Sequence, residues 1–153
     1  YRVLRRTWNG NGGVLLMGNR AVIVFDDEDV KDKDLCPAIY LHWHGNKDTV
    51  EAFLKAGEEL GIRGRDSSYC MARLTQVIGN AIGGTLSLGV GCYGNFGNQG
   101  DNGVYWINDW EIIKHDDPYP EDPVEYDESR LVETYKESMR VNSEIFTRKG
   151  DTD

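Results

Sequence analysis

The run Ala38-Ile39-Tyr40-Leu41-His42-Trp43-His44-Gly45 constrains the fold of this chain more than any other stretch. Apolar and polar residues alternate, so it reads as a strand with Ile39, Leu41 and Trp43 on one face and Tyr40, His42 and His44 on the other. Pro37 opens it, where a missing N–H is tolerated. Gly45 closes it, and a helix signal follows at once. Asp48 is placed to be the N-cap and Glu51 the N3 partner of a capping box. Val50, Phe53, Leu54 and Leu60 then share one stripe, and Gly61 offers a left-handed C-terminal residue. Trp43 and Phe53 are expected in the core.

Further elements follow by the same logic. Tyr1–Trp8 alternates weakly, and Asn9–Gly13 breaks it. Ala21–Phe25 is short, apolar and β-branched, a buried strand. A second helix runs from about Ser68 to Ile82, with Cys70, Leu74, Val77, Ile78 and Ala81 inward. Leu86, Leu88 and Val90 alternate as a third strand. Val104–Ile107 and Trp110–Lys114 flank Asn108-Asp109, a two-residue hairpin turn. Pro118, Pro120 and Pro123 interrupt an acidic linker. A last helix spans about 127–147, with Leu131, Tyr135, Met139 and Phe146 as a narrow apolar stripe that can dock back, stand free or hold a second copy. The expected fold class is α+β. A mixed or antiparallel sheet of about four or five strands packs on two central helices, with an added C-terminal helix. The chain divides into an N-terminal extension or edge strand (1–16), a core (17–114), an acidic linker (115–126) and a C-terminal helix and tail (127–153). Met17-Gly18-Asn19-Arg20 has the look of a natural start.

Composition narrows the class. The chain has 153 residues, enough for one domain with a real core. No apolar run reaches the roughly 18–20 residues of a membrane span, and no secretory signal is visible. Cys36, Cys70 and Cys92 are odd in number and lack metal-type spacing, which points to free thiols and a cytoplasmic setting. The net charge is −9. Such a chain repels nucleic acid, so sequence-independent DNA binding is not expected. Residues 26–34 hold six acids and two lysines, and residues 115–128 hold seven acids with no Lys or Arg. Asp26, Asp27, Glu28 and Asp29, with Asp116, Asp117, Glu121 and Asp122, are therefore candidate contacts for a basic protein partner. Trp43, Tyr93, Phe96, Trp106 and Trp110 are aromatic anchors wherever they reach the surface.

Catalytic chemistry is sparse. His42 and His44, two apart on a strand, would point the same way and could chelate a metal. A site needs more ligands, and His115, Asp26, Asp27 and Cys36 are not placed by spacing, so no metal or cofactor is expected. Ser67, Ser68 and Cys70 start a helix, but Cys70 falls on the apolar stripe and reads as an inert thiol. Arg63, Arg65 and Arg73 surround the same helix start and could hold an anion or pair with Glu58, Glu59 and Asp66. The glycine-rich stretch Gly89, Gly91, Gly94, Gly97, Gly100 and Gly103 has no helix after it, unlike a phosphate-cradling loop, and reads as a mobile loop.

Several blocks together resemble a family of small uncharacterised proteins carried by phages and integrative elements of gut Firmicutes. These are Met17–Ile23, Tyr40–Trp43, Asp48–Leu54, Ala72–Asn80 and Gly100–Gly103. The resemblance covers about residues 17–114. The family pattern has a polar residue such as Asn where His44 stands, which counts against a two-histidine metal site. Small acidic proteins of such elements are often counter-defence factors, so the resemblance implies a non-enzymatic, protein-binding inhibitor of a host defence protein, foremost an anti-CRISPR against a Cas9-type nuclease. Two other readings stand beside it. One is a small metal-dependent or nucleotide-handling enzyme built on His42, His44 and Arg73. The other is a module that sequesters a small anionic signal.

Overall fold

The computed structural model describes residues 6–8, 14–16, 19–82, 88–99, 101–117 and 128–145. Its centre is a five-stranded mixed sheet. β3 (Ala21–Phe25) is the middle strand, antiparallel to β4 (Pro37–Leu41) and parallel to β6 (Val104–Asn108). β5 (Leu88–Cys92) lies outside β4, and β7 (Glu111–Asp116) lies outside β6, so the order is β5-β4-β3-β6-β7. The first two strands, β1 (Arg6–Trp8) and β2 (Val14–Leu16), pair with each other as a separate hairpin. The helices are α1 (Lys47–Glu59), α2 (Ser67–Ile82), the single turn α3 (Tyr93–Phe96) and α4 (Glu128–Ile145). The chain is α+β, as its patterning indicates.

β3 is buried on both sides, which is why every one of its residues is apolar. Ala21, Ile23 and Phe25 face a core shared with Ile39, Leu41, Tyr105 and the helices. Val22 and Val24 face a second, smaller core with Cys36, Ala38 and Val104. Phe53 is fully buried and stacks on Tyr135 of α4, with ring centroids 4.4 Å apart. On α2, Cys70, Leu74, Val77 and Ile78 are buried, while Ala81 is only half-buried. Asp66 Oδ1 caps the start of this helix by accepting from Tyr69 N–H at 3.1 Å.

Several expectations need correction. The β4 strand ends at Leu41 and does not run to His44. Gly45 packs on the start of β3, where a Cβ would lie 2.6 Å from Ala21 Cβ, so the chain must turn first. His44 makes that turn at φ +63°. Trp43 therefore leaves the alternation and is half-buried, with its ring edge-on to His42. The same turn moves the N-cap of α1 back from Asp48 to Asn46. Asp48 instead lies in the first turn, where a negative charge complements the helix dipole. Leu60 is exposed, because it is the C-cap of α1. Gly61 does take the left-handed conformation at φ +72°, and Ile62 N–H returns to Gly57 O at 3.2 Å.

The hairpin between β6 and β7 turns one residue later than its sequence signal. Asp109 and Trp110 hold the positive φ values, 47° and 70°. Trp110 accepts this because its indole is buried against α1 and donates to Ile62 O at 2.9 Å. The glycine-rich stretch is not a mobile loop throughout. Residues 88–92 form an edge strand, and the α3 turn follows it directly. Phe96 lies over Gly89 and Gly91, where a Cβ would meet its ring at 3.4 and 3.3 Å.

α4 docks on α1 and α2. Val132, absent from the expected stripe, is buried together with Tyr135, and Leu131 and Met139 pack beside them. Lys136 reaches across to Glu59 at 2.7 Å. The apolar stripe offered for self-association is thus packed within the chain itself over these four residues. Phe146, the strand reading of 1–5, the break at 9–13, Met17, Gly83–Leu86, Gly100, the three linker prolines, Glu121 and Asp122 lie outside the described residues.

Candidate protein-binding surface

The acidic segment 26–34 forms a crossing between β3 and β4 and is held from inside by some of its own charges. Lys33 Nζ lies 2.7 Å from Asp26 Oδ1 and donates to Asp27 O at 3.0 Å. That contact raises the Lys33 pKa, with the Asp26 hydrogen bond as the first cause. Asp27 accepts from Asp29 N–H and from Ser67 Oγ at the start of α2. Asp26 and Asp27 therefore serve the fold and are half-buried. Asp32 caps a 3-10 turn, Lys33–Leu35, by accepting from Asp34 N–H.

What the segment presents outward is different. Glu28, Asp29, Lys31, Asp32, Lys33 and Asp34 are exposed, a net excess of acid, and Leu35 follows them in the chain, 63% exposed. Leu35 was not singled out by the sequence, since its own neighbours give no reason for an apolar side chain to face water. The turn that carries it is fixed. Cys36 is fully buried behind it, Tyr93 N–H donates to Cys36 O at 2.9 Å, and Asp34 packs on Gly94 of α3.

Tyr93 and Phe96 project from α3 onto the sheet face opposite the long helices. Tyr93 meets Trp106 edge to face at 4.8 Å, and Phe96 stacks on Tyr40 at 5.9 Å. Both are half-buried, so they serve as packing and as surface at once. Trp106 is half-buried and donates to Asp116 Oδ2 at 3.0 Å, and Trp110 belongs to the main core.

The second acidic group is elsewhere. Asp116 pairs in register with Val104, and Val104 with Val22, whereas Asp26 follows Phe25 at the other end of β3. The two groups are thus separated by the length of the sheet, about 13 Å along the strands. Asp116 is bound to Lys114 at 2.9 Å, which is the first cause of its lowered pKa. Asp117 lies beside it, half-buried.

Of the alternative site residues, His42 and His44 follow the end of β4 and Arg73 lies on α2. His42 Nδ1 shares a 2.8 Å hydrogen bond with Tyr40 Oη. His44 takes a left-handed backbone at φ +63°, outside the strand, and burial lowers its pKa. Arg73 on α2 donates to Gln76 at 2.6 Å. Arg63 lies over the Tyr69 ring and near Asp66, while Arg65 pairs with Asp109, so the three arginines hold separate partners. His115 bonds through Nε2 to Asn102 O and stacks on Tyr105. Among the described residues, no three His, Cys, Asp or Glu side chains form a metal-binding group.

The cysteines Cys36, Cys70 and Cys92 are free. Burial pushes the Cys70 thiol up to about 12, which suppresses the thiolate. Among the described residues, no helix is long and apolar enough to cross a membrane. Compared with known protein families, with characterised proteins and with solved structures, the chain matches none.

Proposed function

We propose that this protein is a non-enzymatic, protein-binding inhibitor of a host defence system, acting on a Cas9-type nuclease. The observation that carries the reading is Leu35, 63% exposed, on a turn tied to the sheet at the end of a segment whose Glu28, Asp29, Asp32 and Asp34 are also exposed, against two exposed lysines, Lys31 and Lys33. An apolar anchor next to a net-acidic exposed segment suits a basic partner surface: the anchor supplies buried area and the excess acid supplies steering. The family resemblance of residues 17–114 supplies the class of partner. The net charge of −9 favours a nucleic-acid-binding protein over nucleic acid itself. An enzyme built on His42, His44 and Arg73 is disfavoured, because His42 bonds to Tyr40, Arg73 bonds to Gln76, and no three His, Cys, Asp or Glu side chains among the described residues form a metal-binding group.

The test is inhibition of DNA cleavage by a Cas9-type nuclease, read together with binding at several salt concentrations. Wild type should bind stoichiometrically and weaken as salt rises, because exposed charges are screened within about 8–10 Å. Leu35→Ala, and the combined Glu28→Gln, Asp29→Asn, Asp32→Asn, Asp34→Asn variant, should lose inhibition while keeping the fold. His42→Ala should retain it. Full inhibition by the neutralised variant, or multiple turnover at substoichiometric protein, would overturn the reading.

A further inference from the structure

The two edges of the sheet are built differently. β7 carries Glu111, Lys114 and Asp116 and is bulged opposite Trp106–Ile107. Charges and bulges of this kind keep an edge from pairing with another chain. β5 reads Leu-Gly-Val-Gly-Cys and has no charge, no proline and no irregularity in its pairing with β4. No described strand lies on its outer side.

The register shows which groups point outward. Tyr93 N–H donates to Cys36 O, one step beyond the Pro37–Cys92 pair. Hydrogen-bonded and non-bonded pairs alternate in an antiparallel ladder. Gly91 and Gly89 therefore exchange bonds with Ala38 and Tyr40, while Leu88, Val90 and Cys92 turn their N–H and C=O to the edge. Pro37, which has no N–H, sits at a non-bonded position, as this phase requires. Cys92 N–H is met by Asn95 Oδ1 at 3.2 Å. Among the described residues no such local partner meets Leu88 or Val90, and Val90 is 56% exposed.

We infer that β5 seats a second copy of this chain, pairing antiparallel across a two-fold axis at Val90. The strand is symmetric about that residue. Val90 would pair with Val90 of the second copy, Leu88 with Cys92, and Gly89 with Gly91. Apolar residues then meet apolar residues, glycine meets glycine, and each glycine pair lies under the Phe96 rings that already cover Gly89 and Gly91. Each Val90 exchanges two backbone bonds with its counterpart, and each Leu88 N–H meets a Cys92 carbonyl. The acidic turn of each copy lies beyond the Cys92 end of its own strand, where Asp34 packs on Gly94. The two turns therefore fall at opposite ends of the junction, more than about 13 Å apart, which exceeds the screening length at physiological salt. The isologous arrangement closes on itself and leaves the charged β7 strands as the outer edges.

The test is sedimentation of the full chain with amide hydrogen exchange at several concentrations. Wild type should be dimeric at about 50 µM, and its self-association should strengthen with added salt, because only the net charge opposes it. Val90→Pro removes an outward N–H and no ladder bond, and Val90→Lys places a charge on the axis. Each should weaken dimerisation by about 10-fold or more, with unchanged circular dichroism. The Leu88 and Val90 amides should exchange more slowly as protein concentration rises. A monomeric wild type, dimers unaffected by either variant, or concentration-independent exchange at Leu88 and Val90 would overturn the inference. The opposite salt dependence separates its failure from failure of the acidic-surface reading.

Discussion

Two helical glycines should respond to the same substitution with opposite signs. Gly57 lies in α1 and is buried, whereas Gly79 lies in α2 and is exposed. Helix propensity alone favours Ala at both positions, by about 1 kcal/mol. At Gly79 nothing lies within 4 Å of a new Cβ, so the gain is realised. At Gly57 the Cβ would stand 2.5 and 2.6 Å from ring carbons of Trp110. That ring cannot slide away. Its Nε1 is bonded to Ile62 O at 2.9 Å, and Gly64 bounds it at Cδ1 and Nε1. Overpacking a fixed site costs about 1–3 kcal/mol. Pinning puts Gly57 in the upper part of that range, so the net effect is a loss of about 1–2 kcal/mol. At about 2–4 °C per kcal/mol for a chain of this size, Gly57→Ala should lower Tm by about 2–8 °C and Gly79→Ala should raise it by about 2–4 °C. Thermal and urea unfolding of both variants would measure this. A Trp110→Phe background should shrink the Gly57→Ala cost, since the smaller ring frees the space. Equal stabilisation by both alanines would refute the placement of Trp110 under α1.

Other outcomes follow from single residues. His44 sits at φ +63°, a region that Asn tolerates and β-branched residues do not, so His44→Asn should match or exceed the parent in urea unfolding while His44→Val loses about 1–2 kcal/mol; equal effects of the two would contradict the backbone. Burial lowers the His44 pKa from its ordinary 6.5, so the unfolded chain takes up the proton first and stability should fall as pH drops below that value, with the decline shallower in His44→Asn. Burial pushes Tyr135 from 10.0 up to about 12, so its contribution is complete below pH 10 and is lost as pH rises through that window. Tyr135→Phe should flatten this alkaline decline, and an identical slope would show that the phenol is not buried between α4 and α1.

Local signals carried much of the fold. Ala21–Phe25 had to be buried on both sides, since no residue in it can meet water. The inward face of α2 follows from Cys70, Leu74, Val77 and Ile78 at helical spacing, and Gly61 marks the end of α1 because a left-handed residue is needed there. What was not legible depends on contacts distant in sequence. The early end of β4 is decided by Gly45 against Ala21, and the hairpin phase by Trp110 against Gly57, Gly64 and Ile62. Alternation continues past both points, so periodicity places Trp43 inside and the turn one residue too soon.

The candidate surface shows the same limit in charge. Counting acids over 26–34 treats six carboxylates alike. In the fold, Asp26 holds Lys33 and Asp27 holds Ser67, and these ties fix the turn on which Glu28, Asp29, Asp32, Asp34 and Leu35 are displayed. A paired, half-buried carboxylate contributes little field at the surface, while an exposed one is available to steer a basic partner. Asp26 and Asp27 should therefore affect binding through turn geometry, and Glu28 and Asp29 through charge. Added salt should suppress the second effect and leave the first, because screening acts on exposed charges and not on the position of Leu35.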